Sequence, residues 1–342
     1  VAAGFAGSFD AGVRGRLAGG RVRVRTVNAL DPGGTPFGQG VLGPLNPGGV
    51  RFQMVYRARD LQATGDEELV TGLSAVTVAK APDIAVGDIM GSCVFNLLII
   101  VLLDFLYRKE SVYTRARQGN VLAAGYGIVL IGVAGFNLLL YRGETVPSIG
   151  HVGLYTPVIL LLYLLAMRTL YRYEQSQLTE FVEDRVELYP DTSLKQAVQG
   201  YVVAAVAVVA AGIWLPFIAK DLAAVMAWEQ SFVGTLFVAA ITSAPEVVVT
   251  VAALRMGAVD LAIGNLFGSN LFDIAILAID DLAYLPGPLF ADVSISHAAS
   301  AFSAMMMSGL AVVGLMLRPV SRVFRTVSWI SLLLLVVYLL NT

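Results

Sequence analysis

Cysteine, histidine and charge are all scarce in this chain. One cysteine, Cys93, in 342 residues excludes an internal disulfide and any cysteine-based metal cluster. Two histidines, His151 and His297, cannot form a zinc site between them. Charged residues make up 14% of the sequence, against roughly 25% in soluble domains. A net charge of -2 gives no footing for a nucleic-acid partner. The apolar segments hold no nucleophile–base pair and no His-rich metal motif, so nothing points to an enzyme.

What is abundant is apolar: 57% of residues are hydrophobic and the mean hydropathy is +0.74. A soluble core cannot hide that much apolar surface, whereas runs of about 20 residues match a bilayer core of roughly 30 Å. The expectation is an all-α polytopic membrane protein with the lipid bilayer as its partner. Eight hydrophobic segments stand out, at 84–106, 119–140, 152–170, 198–219, 231–254, 258–280, 293–316 and 323–340, with a shorter apolar piece at 69–79. A polar loop over 168–197 divides them, giving a first half at 69–170, a loop at 171–197 and a second half at 198–342.

Numbering the loops alternately, one side collects twelve basic residues, including Arg108, Lys109, Arg168, Arg172 and Arg255, and the other only Lys80, Arg142 and Lys220. Cytoplasmic loops are enriched in Lys and Arg, which puts the long loop in the cytoplasm of a cell membrane of bacterial inner-membrane type. Residues 1–68 differ in kind, with 14 of the 34 glycines, eight arginines and no lysine. They hold no apolar run long enough to span and no secretory signal. Their composition suits a disordered segment, or a corrupted replacement of membrane helices.

One phrase occurs twice. "DIAVGDIMGSCVFN" at 83–96 aligns without a gap with "DLAIGNLFGSNLFD" at 260–273. The two copies enter the membrane from opposite faces, the signature of inverted repeats in secondary transporters. Gly87 and Gly91, like Gly264 and Gly268, have the G-x-x-x-G spacing that lets helices approach closely. In "ITSAPEVVVTV", Thr242, Ser243 and Glu246 share one helical face, and Ser269 and Asp273 repeat the i, i+4 spacing on the next helix. An ionised carboxylate in a bilayer costs at least about 2.5 kcal/mol, so it faces a cavity, a partner or an ion. Carboxylates, hydroxyls and amides without nearby basic residues make a ligand set for a hard cation, and a flexible cage of this kind favours Ca2+ over Mg2+. Pro245 removes a backbone donor and can kink its helix. The first copy supplies Ser92 and Asn96. Upstream, "ATGDEELVTGL" pairs Glu68 with Glu246 and Thr64 with Thr242 once one extra residue is allowed. Asp83 and Asp260 read as caps of the helices they begin, Asp280 and Asp281 as the outer end of theirs, and Cys93 as a small buried residue. His151 and His297 read as interfacial or packed side chains.

"TSAPE" at 242–246, "GNLFGSNLFD" at 264–273 and "GDIMGSCVFN" at 87–96 resemble the calcium/cation antiporter superfamily, whose best-known members are the sodium/calcium exchangers. The resemblance covers roughly 64–342. It implies an inverted-repeat antiporter fold of ten helices, of which about eight are visible here. It also implies ion ligation by Glu68, Glu246, Asn96 and Asp273, with hydroxyls from Thr64, Ser92, Thr242, Ser243 and Ser269. Gly65 and Glu67 stand where the first repeat of the family has Ser and Pro, and Asp88 and Cys93 replace its usual asparagines. The implied activity is Ca2+/Na+ antiport by alternating access, with no cofactor beyond the transported ions. A Ca2+/H+ antiporter on the same fold, or a non-transporting paralogue, are the alternatives.

Overall fold

The computed structural model describes residues 66–141, 147–178, 194–319, 321–323 and 326–341. Thr64, nearly all of the Gly/Arg-rich segment and most of the loop at 171–197 lie outside these residues.

All eight hydrophobic segments are helical. Helix α1 (Asp66–Ser74) continues into a π-helical turn, Ala75–Ala79. It is followed by α2 (Pro82–Leu106), α3 (Gln118–Leu140), α4 (Tyr155–Leu178) and α5 (Leu194–Met226). Then come α6 (Gln230–Thr242), α7 (Ala244–Arg255), α8 (Val259–Ala283), α9 (Ser296–Leu317) and α10 (Trp329–Asn341). Two small antiparallel hairpins are added. Ser148–Ile149 pairs with Val152–Gly153 (β1, β2) before α4, and Arg322–Val323 pairs with Val327–Ser328 (β3, β4) before α10.

Among the described residues five helices are long and apolar enough to span a bilayer, six when α6 and α7 count as one bent span. Two of the eight expected spans fall short of that test. Helix α10 has 13 residues, about 20 Å at 1.5 Å per residue, less than a hydrocarbon core. Helix α4 carries Arg168 and Arg172 and runs on to Leu178, so the polar stretch expected to begin the loop is instead its last turns.

Why the chain breaks where it does follows from a few residues. Pro82 sits in the first turn of α2, where its missing N–H is no loss. Pro245 has no N–H to continue the ladder of α6, and the chain bends by 41° there, as its position leads one to expect. Lys80 and Gly257 hold the turns that precede α2 and α8, and both have left-handed backbones, with φ of 51° and 77°. Glycine takes that conformation freely, whereas a lysine does so against a steric cost.

Helices α2 and α8 form the centre. Each has 25 residues, and 67% and 83% of their apolar windows are buried, against 17% for Ala205–Met226 of α5. Helix α5 instead turns Val206, Ile213, Trp214 and Phe217 outward, as a lipid-facing helix does. Helix α2 packs on α6 through Gly87 and Gly91. A methyl group at Gly87 would come within 3.0 Å of the Gly234 Cα, and one at Gly91 would run into the Thr235 carbonyl and the Ala239 Cβ. The expectation that these glycines permit close approach holds at α2.

A shift of 177 residues carries Pro82 onto Val259 and Leu106 onto Ala283, the two ends of α2 and α8. The same shift carries the turn Val112–Thr114 onto Leu289–Ala291. Hydrogen bonds repeat with it. Asn120 Nδ2 and the Arg117 N–H donate to Asp260 Oδ1, both at 2.9 Å. His297 Nε2 lies 2.9 Å from Asp83 Oδ1, which also accepts the Ser294 N–H at 2.6 Å. The N-cap positions of α2 and α8 are held by Ala81 and Ala258, so Asp83 and Asp260 lie within the first turns. Each holds the start of a helix from the opposite repeat, which corrects the reading of them as caps of their own helices. Asp280 and Asp281, expected at the outer surface, are both fully buried.

Candidate functional site

The site is where α2 crosses α6, α7 and α8. Asp88, Ser92 and Asn96 recur every fourth residue of α2 and so lie along one face, and all three are fully buried. Thr242 and Ser243 come to this face because α6 ends there. Ser243 Oγ donates to Ser92 Oγ at 3.0 Å, and Thr242 Oγ1 lies 3.5 Å from the same oxygen. Thr242 Oγ1 donates to Asp88 Oδ1 at 2.7 Å.

One turn along α2 the partners come from α8. Asn96 Nδ2 donates to Asn270 Oδ1 at 3.0 Å and reaches Asp273 Oδ2 at 3.5 Å. Asn270 Nδ2 donates to the Cys93 carbonyl at 3.1 Å, and the Cys93 thiol lies 3.7 Å from Asp273 Oδ2. Helix α7 starts at the bend, which puts Glu246 in its first turn, where the helix dipole favours negative charge. Ser269 Oγ donates to Glu246 Oε1 at 3.3 Å, and Asn265 Nδ2 reaches Thr250 Oγ1 at 3.4 Å.

Eight of the nine sequence-derived candidates, Glu68, Ser92, Asn96, Thr242, Ser243, Glu246, Ser269 and Asp273, are therefore described and buried. Seven are joined by the hydrogen bonds above. Glu68 on α1 makes no side-chain hydrogen bond among the described residues, and both of its oxygens are buried. Among the described residues no three acidic, cysteine or histidine side chains gather closely enough to hold a metal by themselves. The donor set is mixed and spread along α2. The sequence reading noted Asp88 only as a departure from a family pattern and Cys93 as that and a small buried residue, yet both belong to this cluster. Their one sequence signal was their place in the gapless alignment, opposite Asn265 and Asn270.

The electrostatics are one-sided. Glu68, Asp88, Glu246 and Asp273 are each at most 1% exposed, and among the described residues no Lys, Arg or His pairs with them. Glu68 Oε1 and Oε2, Asp88 Oδ2, Glu246 Oε2 and Asn96 Oδ1 are all buried without a hydrogen-bond partner. Every one of these atoms is an acceptor. Buried acceptors left unmatched cost free energy, and a cation is the ligand that would satisfy several at once.

A helical bundle with a broken helix and two repeated polar constellations at its centre is the kind of architecture that secondary transporters use. Residues 197–342 match the family described as sodium/calcium exchanger protein. It is 29% identical over 228 residues to the inner membrane protein YrbG of Escherichia coli (strain K12), covering 64% of this chain and 68% of that one. It is 27% identical over 181 residues to the putative antiporter CaxA of Alkalimonas amylolytica, covering 53% of this chain and 46% of the relative. The fold is similar to that of the H+/Ca2+ exchanger CAX, with a TM-score of 0.56 at 15% identity over 89% of this chain and 80% of that one. It is also similar to the sodium-calcium exchanger NCX_Mj, with a TM-score of 0.52 at 19% identity over 88% of each chain.

Proposed function

We propose that the chain exchanges Ca2+ for Na+ across a bacterial inner membrane by alternating access. Glu68, Asn96, Glu246 and Asp273 would bind the ions, with Asp88 added to them and Ser92, Thr242, Ser243 and Ser269 supplying hydroxyl oxygens. Thr64 is kept in the set on sequence alone. The observation that carries the reading is the run of buried acceptor oxygens with no donor and no basic partner among the described residues. One Ca2+ or several Na+ would compensate the same charge, so the two ions compete for one site. Repacking of the peripheral helices against α2 and α8 would then expose that site to one face at a time. The sodium preference rests on the family matched by the second half. The membrane assignment rests on the relative YrbG, and the cytoplasmic placing of the 171–197 loop on its basic residues.

The test is uptake of 45Ca into everted vesicles driven by a Na+ gradient with the pH gradient collapsed. Uptake should depend on Na+ and be lost in Glu246→Gln and Asp273→Asn, both of which should still reach the membrane. Uptake that needs a pH gradient and ignores Na+ would replace this reading with H+ coupling. Uptake unaffected by either substitution would remove the site.

A further inference from the structure

Asp280, near the end of α8, is fully buried, and among the described residues neither of its oxygens has a hydrogen-bond partner. Its neighbour Asp281 accepts the Gly153 N–H of the β2 strand and has an acidic counterpart, Asp104, at the repeat shift of 177 residues. Asp280 has none: the same shift gives Leu103, which is also fully buried. The fold therefore accepts an apolar residue at this place, whereas a buried carboxyl group without a partner is costly to keep. Facing it is Gly72 of α1. A methyl group at Gly72 would run into the Asp280 carboxyl group, so α1 seats on that group through a residue with no side chain. Asp280 lies two helical turns beyond Asp273 on one face of α8, and Gly72 lies one turn beyond Glu68 on one face of α1. The contact thus continues the seam that holds two of the proposed ion ligands.

We propose that Asp280 is a proton-binding site, separate from the ion site, that takes a proton from water as α1 seats on α8 and returns it when α1 lifts. The proton forms an O–H bond on one carboxylate oxygen, and the group passes from one negative charge to none. The ligand is a proton because a hard metal ion gathers about six or more oxygens. Here one carboxyl group stands alone against a glycine, and the neighbouring Thr71 faces Gly212 of α5 instead. An ionised carboxylate in the same place would need water or a basic partner. Among the described residues no Lys, Arg or His pairs with Asp280. Burial acts on it most, and the charge of Asp88 on α2 acts next. Around it α1 brings Glu67 and Glu68, α7 brings Glu246, and α8 itself brings Asp273 and Asp281, while α3 and α4 add only tyrosines within their apolar stretches. The seated state holds the proton, so acid favours seating and alkali favours lifting. Because Glu68 rides on the same helix, proton uptake at Asp280 is coupled to ion binding at the central site.

Infrared difference spectroscopy reads this proton without a transport assay. Purified full-length protein at neutral pH should show the C=O stretch of an un-ionised carboxyl group that shifts in D2O and is missing from both Asp280→Asn and Asp280→Leu. Gly72→Ala wedges α1 off the carboxyl group, and the band should then vanish at a lower pH than in the wild type. Asp280→Leu installs the residue of the other repeat and removes an unmatched buried group, so it should survive heating at least as well as the wild type. In vesicles, part of the pH dependence of the apparent Ca2+ affinity should be lost with it. Spectra of wild type and Asp280→Leu that differ only in ionised carboxylate bands would overturn the proposal. So would an Asp280→Leu protein that unfolds before the wild type, since Asp280 would then be a structural ligand. A band that Gly72→Ala leaves unmoved would overturn the link to α1. A failure of Na+-driven uptake bears on the exchange reading alone, because the band is read without transport.

Discussion

Asp104 near the end of α2 and Asp281 near the end of α8 perform the same structural task 177 residues apart. Both are fully buried. Asp104 accepts from Ser111 Oγ and the Val112 N–H of its own repeat, and from the Ser328 N–H and Ser331 Oγ of the other. Asp281 accepts from the Leu289 N–H of its own repeat, and from the Gly153 N–H, Tyr155 OH and Thr156 Oγ1 of the other. Each carboxylate thereby ties a short helical turn to the hairpin and helix start of the opposite repeat.

Removing Asp281 strands two buried N–H groups and two hydroxyls together. Asp281→Ala should cost at least about 3 kcal/mol, since each unmatched buried group costs roughly 1–3 kcal/mol. Thr156→Val deletes a single donor and should cost about 1 kcal/mol. The fraction of monodisperse protein left after a heating series in detergent gives the order. Equal stability of the two variants would mean that the carboxylate does not hold the hairpin.

The second paired contact has an internal control. Asp83 is met by His297 and Asp260 by Asn120, each through a nitrogen 2.9 Å away. His297→Asn should therefore be tolerated within about 1.5 kcal/mol. His297→Ala should cost more, because Asp83 would keep only the Ser294 N–H and a void would open beside it. The same heating series decides the matter. Equal loss in both variants would show that packing of the imidazole ring, not its hydrogen bond, is what counts.

Gly91 and Gly125 make a sharper contrast. A methyl at Gly91 would collide with α6, while one at Gly125 of α3 would meet nothing within 4 Å. Gly91→Ala should force α2 and α6 apart and lower stability by roughly 1–3 kcal/mol. Gly125→Ala should be neutral or gain up to about 1 kcal/mol from helix propensity. Similar effects from the two substitutions would refute the close α2–α6 contact.

These contacts show what could be read from the sequence and what could not. The eight apolar segments, the bend at Pro245 and the pairing of Ser92 and Asn96 with the second motif follow from hydropathy and spacing, which are local properties. The roles of Asp83, Asp260, Asp280 and Asp281 do not. An acid at the end of an apolar run looks like a cap or a surface marker. Only the tertiary fold shows that Asp83 meets Ser294 and that Asp281 meets Gly153. Asp88 was hidden for a related reason. Its hydroxyl partner, Thr242, lies 154 residues away, and the close packing of α6 on α2 at Gly87 and Gly91 is what brings it there.

Asp88 therefore gives a prediction that the sequence motif alone would not. It is fully buried, with Thr242 on Oδ1 and nothing on Oδ2. If it lends charge to a bound cation, Asp88→Asn, which installs the residue found at the matching Asn265, should weaken the apparent Ca2+ affinity roughly 10–100-fold. Thr242→Val preserves the carboxylate but removes its donor, leaving a second bare oxygen and costing about 1–3 kcal/mol of stability. The two effects separate cleanly: the first lies in the Ca2+ dependence of 45Ca uptake at normal expression, the second in survival on heating. A Ca2+ dependence of Asp88→Asn that overlays the wild type would take Asp88 out of the ion site and leave it a structural acceptor for Thr242.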